Sequence, residues 1–180
     1  ATASDSPSTG CLPDGAASFV PFPGSATPGR PNRLAEWTGP ILSEFMARNV
    51  SRLTNSAGRF ADWIELYNPQ AAPFDLSGLA LQVNDSNPWP FPVGFAIPAQ
   101  SYVLVWCDGA RPASTSLGSP LNCGVSLEAN SGQIALLQPD HQPVDLVTYG
   151  FQIPDQSVGR IGTSWHLLIS PTPGAANSSP

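Results

Sequence analysis

The chain has 180 residues, 41% hydrophobic and only 11% charged, with 16 Gly and 21 Pro. That is the size of one domain with its own core, and a Gly and Pro content of about one residue in five excludes an architecture of long helices. There is no Lys. The seven basic residues are all Arg, and 13 acidic residues leave a net charge of −6, so the basic footprint that nucleic acid or an anionic membrane demands is missing.

No run of 18 apolar residues is present, so no transmembrane helix is expected. The start, Ala1 to Gly10, lacks the apolar segment of a signal peptide, which predicts a cytosolic chain or one whose targeting segment has been removed. Thr9-Gly10-Cys11 is a poor lipidation site: Ser8 stands three before the Cys and no apolar stretch precedes it. The lack of Lys, whose codons are A-rich, points to a GC-rich bacterium, where the Asn-x-Ser patterns at Asn49, Asn84 and Asn177 carry no glycosylation meaning.

Residues 1–39 read as an extended Pro/Gly/Ser-rich arm with no hydrophobic periodicity. A helix fits there only over Pro31–Thr38, where Pro40 stops it. From Ile41 the texture becomes short apolar runs cut by turn residues, and residues 40–180 read as one domain. Strands are predicted at Ile41–Phe45, Trp63–Asn68, Leu79–Val83, Trp89–Phe91, Tyr102–Trp106, Gln133–Leu137 and Val144–Tyr149, with a weak one at Val158–Ile161. Tyr102–Trp106 is apolar on both faces and reads as a central, doubly covered strand. Turn chemistry separates the runs. Asn68-Pro69 ends a strand, and Asp75-Leu76-Ser77-Gly78 suits a turn in which Asp caps backbone amides and Gly takes positive φ. Thr172-Pro173-Gly174 suits one with Pro second and Gly third. Short strands at this spacing predict an all-β sandwich or barrel.

There is also an internal repeat. Thr27-Pro28-Gly29-Arg30-Pro31-Asn32 matches Thr172-Pro173-Gly174-Ala175-Ala176-Asn177, and upstream Ser8-Thr9-Gly10-Cys11-Leu12 matches Ser157-Val158-Gly159-Arg160-Ile161. The intervals differ, 14 residues against 10. The repeat makes the arm either the tail of a preceding copy of the domain or a duplicated terminal strand and turn.

Residues 41–177 resemble a lamin tail domain of the type found in bacterial secreted and surface proteins. The resemblance is carried, in order, by Ile41–Asn49, Asp62–Pro69, Phe74–Leu81, Phe95–Val105, Val144–Tyr149, Gln156–Arg160 and the closing Pro171–Asn177. It implies an immunoglobulin-like β-sandwich used as an interaction module, with no catalytic residue to carry over. Gly162-Thr163-Ser164 replaces the family's usual Pro-Asp-Gly turn, and the cysteine-flanked loop from Cys107 to Cys123 is foreign to the pattern.

Chemistry is sparse. Only His141, in a Pro/Asp turn, and His166, beside Trp165, could serve as a histidine base, and no nucleophile elbow or phosphate loop is present. Asp85, Asp108 and Asp140 lie on turns but lack the spacing of a calcium loop. Glu44, Asp62 and Glu65 are expected on a solvated face or paired with Arg48, Arg52 or Arg59 rather than as a glycosidase pair. No cofactor and no metal is expected. Cys107 and Cys123 are candidates for a disulfide, which implies an oxidising compartment, with two small buried thiols as the alternative; Cys11 is left over. Trp89 and Phe91, in Asn87–Pro92, and Phe19 and Phe22, in Phe19–Pro23, are candidate partner-binding aromatics.

Together these readings predict a non-enzymatic interaction or structural module. It would be an extracytoplasmic accessory protein or assembly subunit, held to a protein partner through its arm and loops. Carbohydrate binding through exposed aromatics such as Trp89 is the second expectation and hydrolysis the last.

Overall fold

The computed structural model describes residues 8–12, 17, 19–22, 29, 37–118 and 120–178. Most of the Pro31–Thr38 segment lies outside the described residues. The strands in chain order are β1 (Ser8–Cys11), β2 (Phe19–Phe22), β3 (Ile41–Met46), β4 (Asp62–Tyr67), β5 (Phe74–Asp75), β6 (Ala80–Val83) and β7 (Trp89–Pro90). They continue with β8 (Ala96–Ile97), β9 (Tyr102–Cys107), β10 (Leu121–Asn122), β11 (Gly132–Leu137), β12 (Pro143–Tyr149), β13 (Ser157–Ile161) and β14 (Ser164–Leu168). All eight predicted strands form. The arm, read as extended throughout, contains the antiparallel hairpin β1–β2.

Two sheets face each other. One has six strands in the order β10-β9-β4-β3-β13-β14, the other four in the order β12-β11-β6-β7. This is an all-β, immunoglobulin-like sandwich. Alternation fills the space between the sheets. Leu42 and Phe45 of β3, Ile64 and Leu66 of β4, and Val105 of β9 meet Leu81, Val83, Ile134, Leu136 and Val147, all buried in one cluster. A bulge at Ser43 keeps Phe45 in that core opposite Ile64 while Glu44 lies opposite Glu65.

The turns behave as their residues dictate. Asp75 Oδ1 accepts Ser77 N–H at 2.8 Å, and Gly78 takes φ +87°. Thr172-Pro173-Gly174-Ala175 closes with Ala175 N–H to Thr172 O at 3.0 Å, and Gly174 has φ +83°. Asn68 is fully buried, and its Nδ2 reaches the carbonyls of Ala72, Ile97 and Pro98. Gly162-Thr163 turns β13 into β14 with Gly162 at φ +60°. Strand β9 is second in its sheet rather than central. Its outer rows at Tyr102 and Leu104 stay half-exposed, because only the two-residue parallel strand β10 flanks it at the Trp106 end.

Both sheets also bury part of their outer faces. On the four-stranded sheet Ala80, Ala135, Leu137 and Leu146 form a small cluster, with Leu12 of the arm packed against it. On the six-stranded sheet Met46, Trp63 and Trp106 are covered by Leu53 and Ala61.

Candidate functional site

The outer face of the six-stranded sheet carries the least expected chemistry. Glu44 and Glu65 point the same way from β3 and β4 and are 1% and 0% exposed. Neither is solvated and neither is paired with Arg48, Arg52 or Arg59, contrary to the sequence expectation. The reason is the closing segment, which lies over them. Glu44 Oε1 accepts Ser157 Oγ–H at 2.5 Å and Thr172 N–H at 3.0 Å, and its Oε2 accepts Thr172 Oγ1–H at 3.0 Å. Glu65 Oε1 accepts Gly174 N–H at 2.5 Å, while its Oε2 is buried without a hydrogen bond. Burial, reinforced by the neighbouring Glu44, pushes the Glu65 carboxyl up to about 8. Asn177 completes the clamp, with its Nδ2 donating to Ser43 O at 2.9 Å and Arg160 O at 3.1 Å. These carboxyl groups hold a peptide segment down and are covered by it. Asp62 is half-buried and accepts Asn49 N–H at 3.3 Å, and burial pushes it up to about 6.

The candidate aromatics divide. Trp89 and Phe91 are not a platform. Both are buried, with ring centroids 4.9 Å apart, and Trp89 Nε1 donates to Ser114 O at 2.9 Å. Their prolines made the segment look exposed, yet pairing of Trp89 with Leu81 turns both rings into the core. Phe19 is 71% exposed, and the side chain of Phe22 lies outside the described ones.

Cys107 and Cys123 do come together, with sulfurs 3.5 Å apart, but as free thiols rather than the expected disulfide. That separation is a contact between thiols, well beyond the roughly 2.05 Å of an S–S bond. Adjacent strands β9 and β10 bring them side by side, and burial pushes the Cys107 thiol up. His141 is exposed in its turn at φ 64°, and His166 is exposed on β14. Among the described residues no three His, Cys, Asp or Glu side chains converge as a metal site, and no helix is long and apolar enough to cross a membrane.

Three surface features went unnoticed in the sequence. A pocket of about 300 Å³ is walled by Trp106, Asn55, Asp108, Arg111, Ser114 and Asn122. Asn122 is largely committed to shaping it, since its Nδ2 donates to the carbonyls of Asp108, Arg111 and Pro112. A groove of about 260 Å³ runs beside the clamp along Tyr67 and Tyr102, whose rings lie 4.6 Å apart.

The third is an apolar patch around Asp155. Val50 and Ser51 donate their N–H groups to Asp155 Oδ1 at 2.8 Å, and Arg52 donates from Nε to Asp155 O and from Nη2 to Ile169 O. These bonds tie the segment of Val50 to those of Asp155 and Ile169, and Val50, Phe151, Ile153 and Ile169 on and beside them are all exposed, Phe151 by 65%. Arg48 lies 6.0 Å from the Phe151 ring centroid. Separations of about 100 residues hid this cluster from a linear reading.

The two-sheet sandwich defines an immunoglobulin-like all-β module. The chain belongs to the lamin tail domain family: the family model described as Lamin Tail Domain matches residues 39–151, more than half of its length. The resemblance drawn from the ordered motifs is therefore correct at the level of the family, which consists of immunoglobulin-like protein-interaction modules. No curated protein matches the chain.

Proposed function

We propose that the chain is a non-enzymatic interaction module that serves as an accessory subunit of an extracytoplasmic bacterial assembly. The observation that carries this reading is the patch of Val50, Phe151, Ile153 and Ile169, with Arg48 and Arg52 at its side. Exposed large apolar side chains beside Arg favour a protein-interaction surface. Supporting the non-enzymatic reading, the buried carboxylates are occupied by the chain's own closing segment.

The test is isolation from the native source under mild, non-reducing conditions. A stoichiometric protein companion is expected, and Phe151→Asp with Ile169→Asp is expected to release it while leaving the melting temperature unchanged. A chain that isolates alone, or a double variant that retains its companion, would count against the reading.

A second reading is carbohydrate binding, moved from the buried Trp89 to the polar pocket beside Trp106. An aromatic wall with Asn, Asp and Arg groups suits a sugar ring. Tryptophan fluorescence that stays unchanged across cell-wall and storage polysaccharides would remove it.

A further inference from the structure

We infer that the arm is a second closing segment, built to complete the six-stranded sheet of another lamin tail domain. This deepens the interaction reading by naming the partner's class. The repeated residues are those that do the closing in the C-terminal copy. Ser157 donates to Glu44, Thr172 donates to the same carboxylate through its N–H and hydroxyl, Gly174 donates to Glu65, and Asn177 bonds Ser43 O. At Gly159 a Cβ would lie 2.5 Å from Leu168 Cδ1 and 2.8 Å from Asn177 Cγ, so any larger residue must push those two side chains aside. The arm repeats each of these positions as Ser8, Thr27, Gly29, Asn32 and Gly10. Five residues with separate contacts in one copy recur in the other in the same order.

The fold supplies an independent check. Alignment of the two sequences predicts that β1 should find a partner as β13 finds β14, and it does. Ser157 pairs with Leu168 and Gly159 with His166. Ser8 pairs with Phe22 and Gly10 with Val20, so in both copies the aligned serine and glycine sit on the first strand of an antiparallel hairpin. The four-residue difference in spacing then falls in connections: three extra residues in the hairpin loop and one between the second strand and Thr27. Gly29 has φ +70°, as Gly174 has φ +83°.

What differs is the surroundings. Trp165, the partner of Arg160, packs on the core with its ring 5.9 Å from Phe45. Phe19, at the matching position, is 71% exposed, and β1–β2 form a two-stranded sheet of their own that touches this domain through Leu12, on the outer face of the four-stranded sheet and away from β3 and β4. The slot in this chain's own sheet is taken by β13, so the acceptor is a second domain of this fold. Its β3 and β4 equivalents carry the two carboxyl groups, and its closing slot is open.

The test is a full-length chimera in which residues 8–32 replace residues 157–177, with Cys11→Arg in the graft so that the ion pair of Arg160 with Asp145 is kept. The expected chimera melts cooperatively and keeps the pH dependence that Glu65 imposes, its stability falling from pH 5 to pH 9. Ser8→Ala, Thr27→Ala and Asn32→Ala together, made inside the graft, should lower its melting temperature by roughly 10 °C or more, because hydrogen bonds to charged or buried groups are lost. A chimera that does not fold, or one indifferent to the three substitutions, overturns the inference. A wild-type chain that still holds its companion through Phe151 would then keep the interaction reading and lose only this one.

Discussion

Glu44 and Glu65 lie directly opposite each other on antiparallel strands, both buried, and are bridged by a single peptide segment that donates to each. Two carboxyl groups so close in a low dielectric cannot both ionise cheaply. The donors are unequally shared: Ser157 Oγ, Thr172 N and Thr172 Oγ1 serve Glu44, while Gly174 N and the Ser43 hydroxyl serve Glu65. Burial, reinforced by the neighbouring Glu44, holds the Glu65 carboxyl at about 8, so Glu65 is protonated at neutral pH.

Stability should accordingly fall as pH rises. A carboxyl whose folded value is raised contributes stability that is complete below its unfolded value, near 4.5, and is lost as pH rises toward about 8. The slope from one group is at most about 1.4 kcal/mol per pH unit. Asp62, raised to about 6, adds to the decline between roughly pH 4 and 6. Urea midpoints at pH 5, 7 and 9 should therefore decrease in that order. Glu65→Gln should flatten the profile between pH 6 and 8 and be the more stable form at pH 9. A profile unaffected by that substitution would refute the assignment.

Gly159→Ala should lift the closing segment. Its new Cβ would press on Leu168 and on Asn177, which anchors the segment to Ser43 O and Arg160 O. Overpacking of this kind costs about 1–3 kcal/mol. Hydrogen exchange should show the difference locally: the Thr172 and Gly174 amides, which donate to the carboxyl groups, should exchange faster while those of β11 stay protected. Equal protection at both places would show that the clamp does not depend on that close approach.

Trp89→Ala should be a stability mutant. The ring is buried against Phe91 and its N–H holds the Ser114 carbonyl, so truncation should cost about 3–5 kcal/mol. It should also loosen the loop that ends at Cys123, measurable as faster alkylation of the thiol in the native state. A variant of unchanged stability would restore Trp89 as a surface residue.

Much of the fold was legible because alternation in Asp62–Tyr67 and Gln133–Leu137 and the turn residues between strands are local signals. Strands β5, β8 and β10 are two residues long, too short for any period to register, and β14 hides its pattern behind Ser164 and His166. The candidate sites were less legible, for a different reason. The burial of Glu44 is caused by Thr172, 128 positions away, and the cover itself reads as an ordinary surface turn. In Asn87–Pro92 the prolines suggested an exposed extended segment, because the core that receives Trp89 and Phe91 is built from residues far along the chain. The patch around Phe151 likewise needs Val50, brought near through Asp155.

The last prediction concerns the staple between the sheets. Asp145 on β12 accepts Leu42 N–H from β3 at 2.7 Å and Arg160 Nη2 from β13 at 2.6 and 2.7 Å. Arg160 returns a bond from Nε to Leu42 O at 3.0 Å and lies 4.6 Å from the Trp165 ring centroid. One ion pair thus ties the edge of the four-stranded sheet to two strands of the other. Removing one partner strands a largely buried charge, so Asp145→Ala should cost about 3–5 kcal/mol by urea unfolding. Replacing both, with Asp145→Leu and Arg160→Met, should recover much of that loss, because apolar groups need no partner there. A double variant no more stable than the single one would mean that the backbone bonds to Leu42, rather than the charge pair, hold the sheets together at this edge.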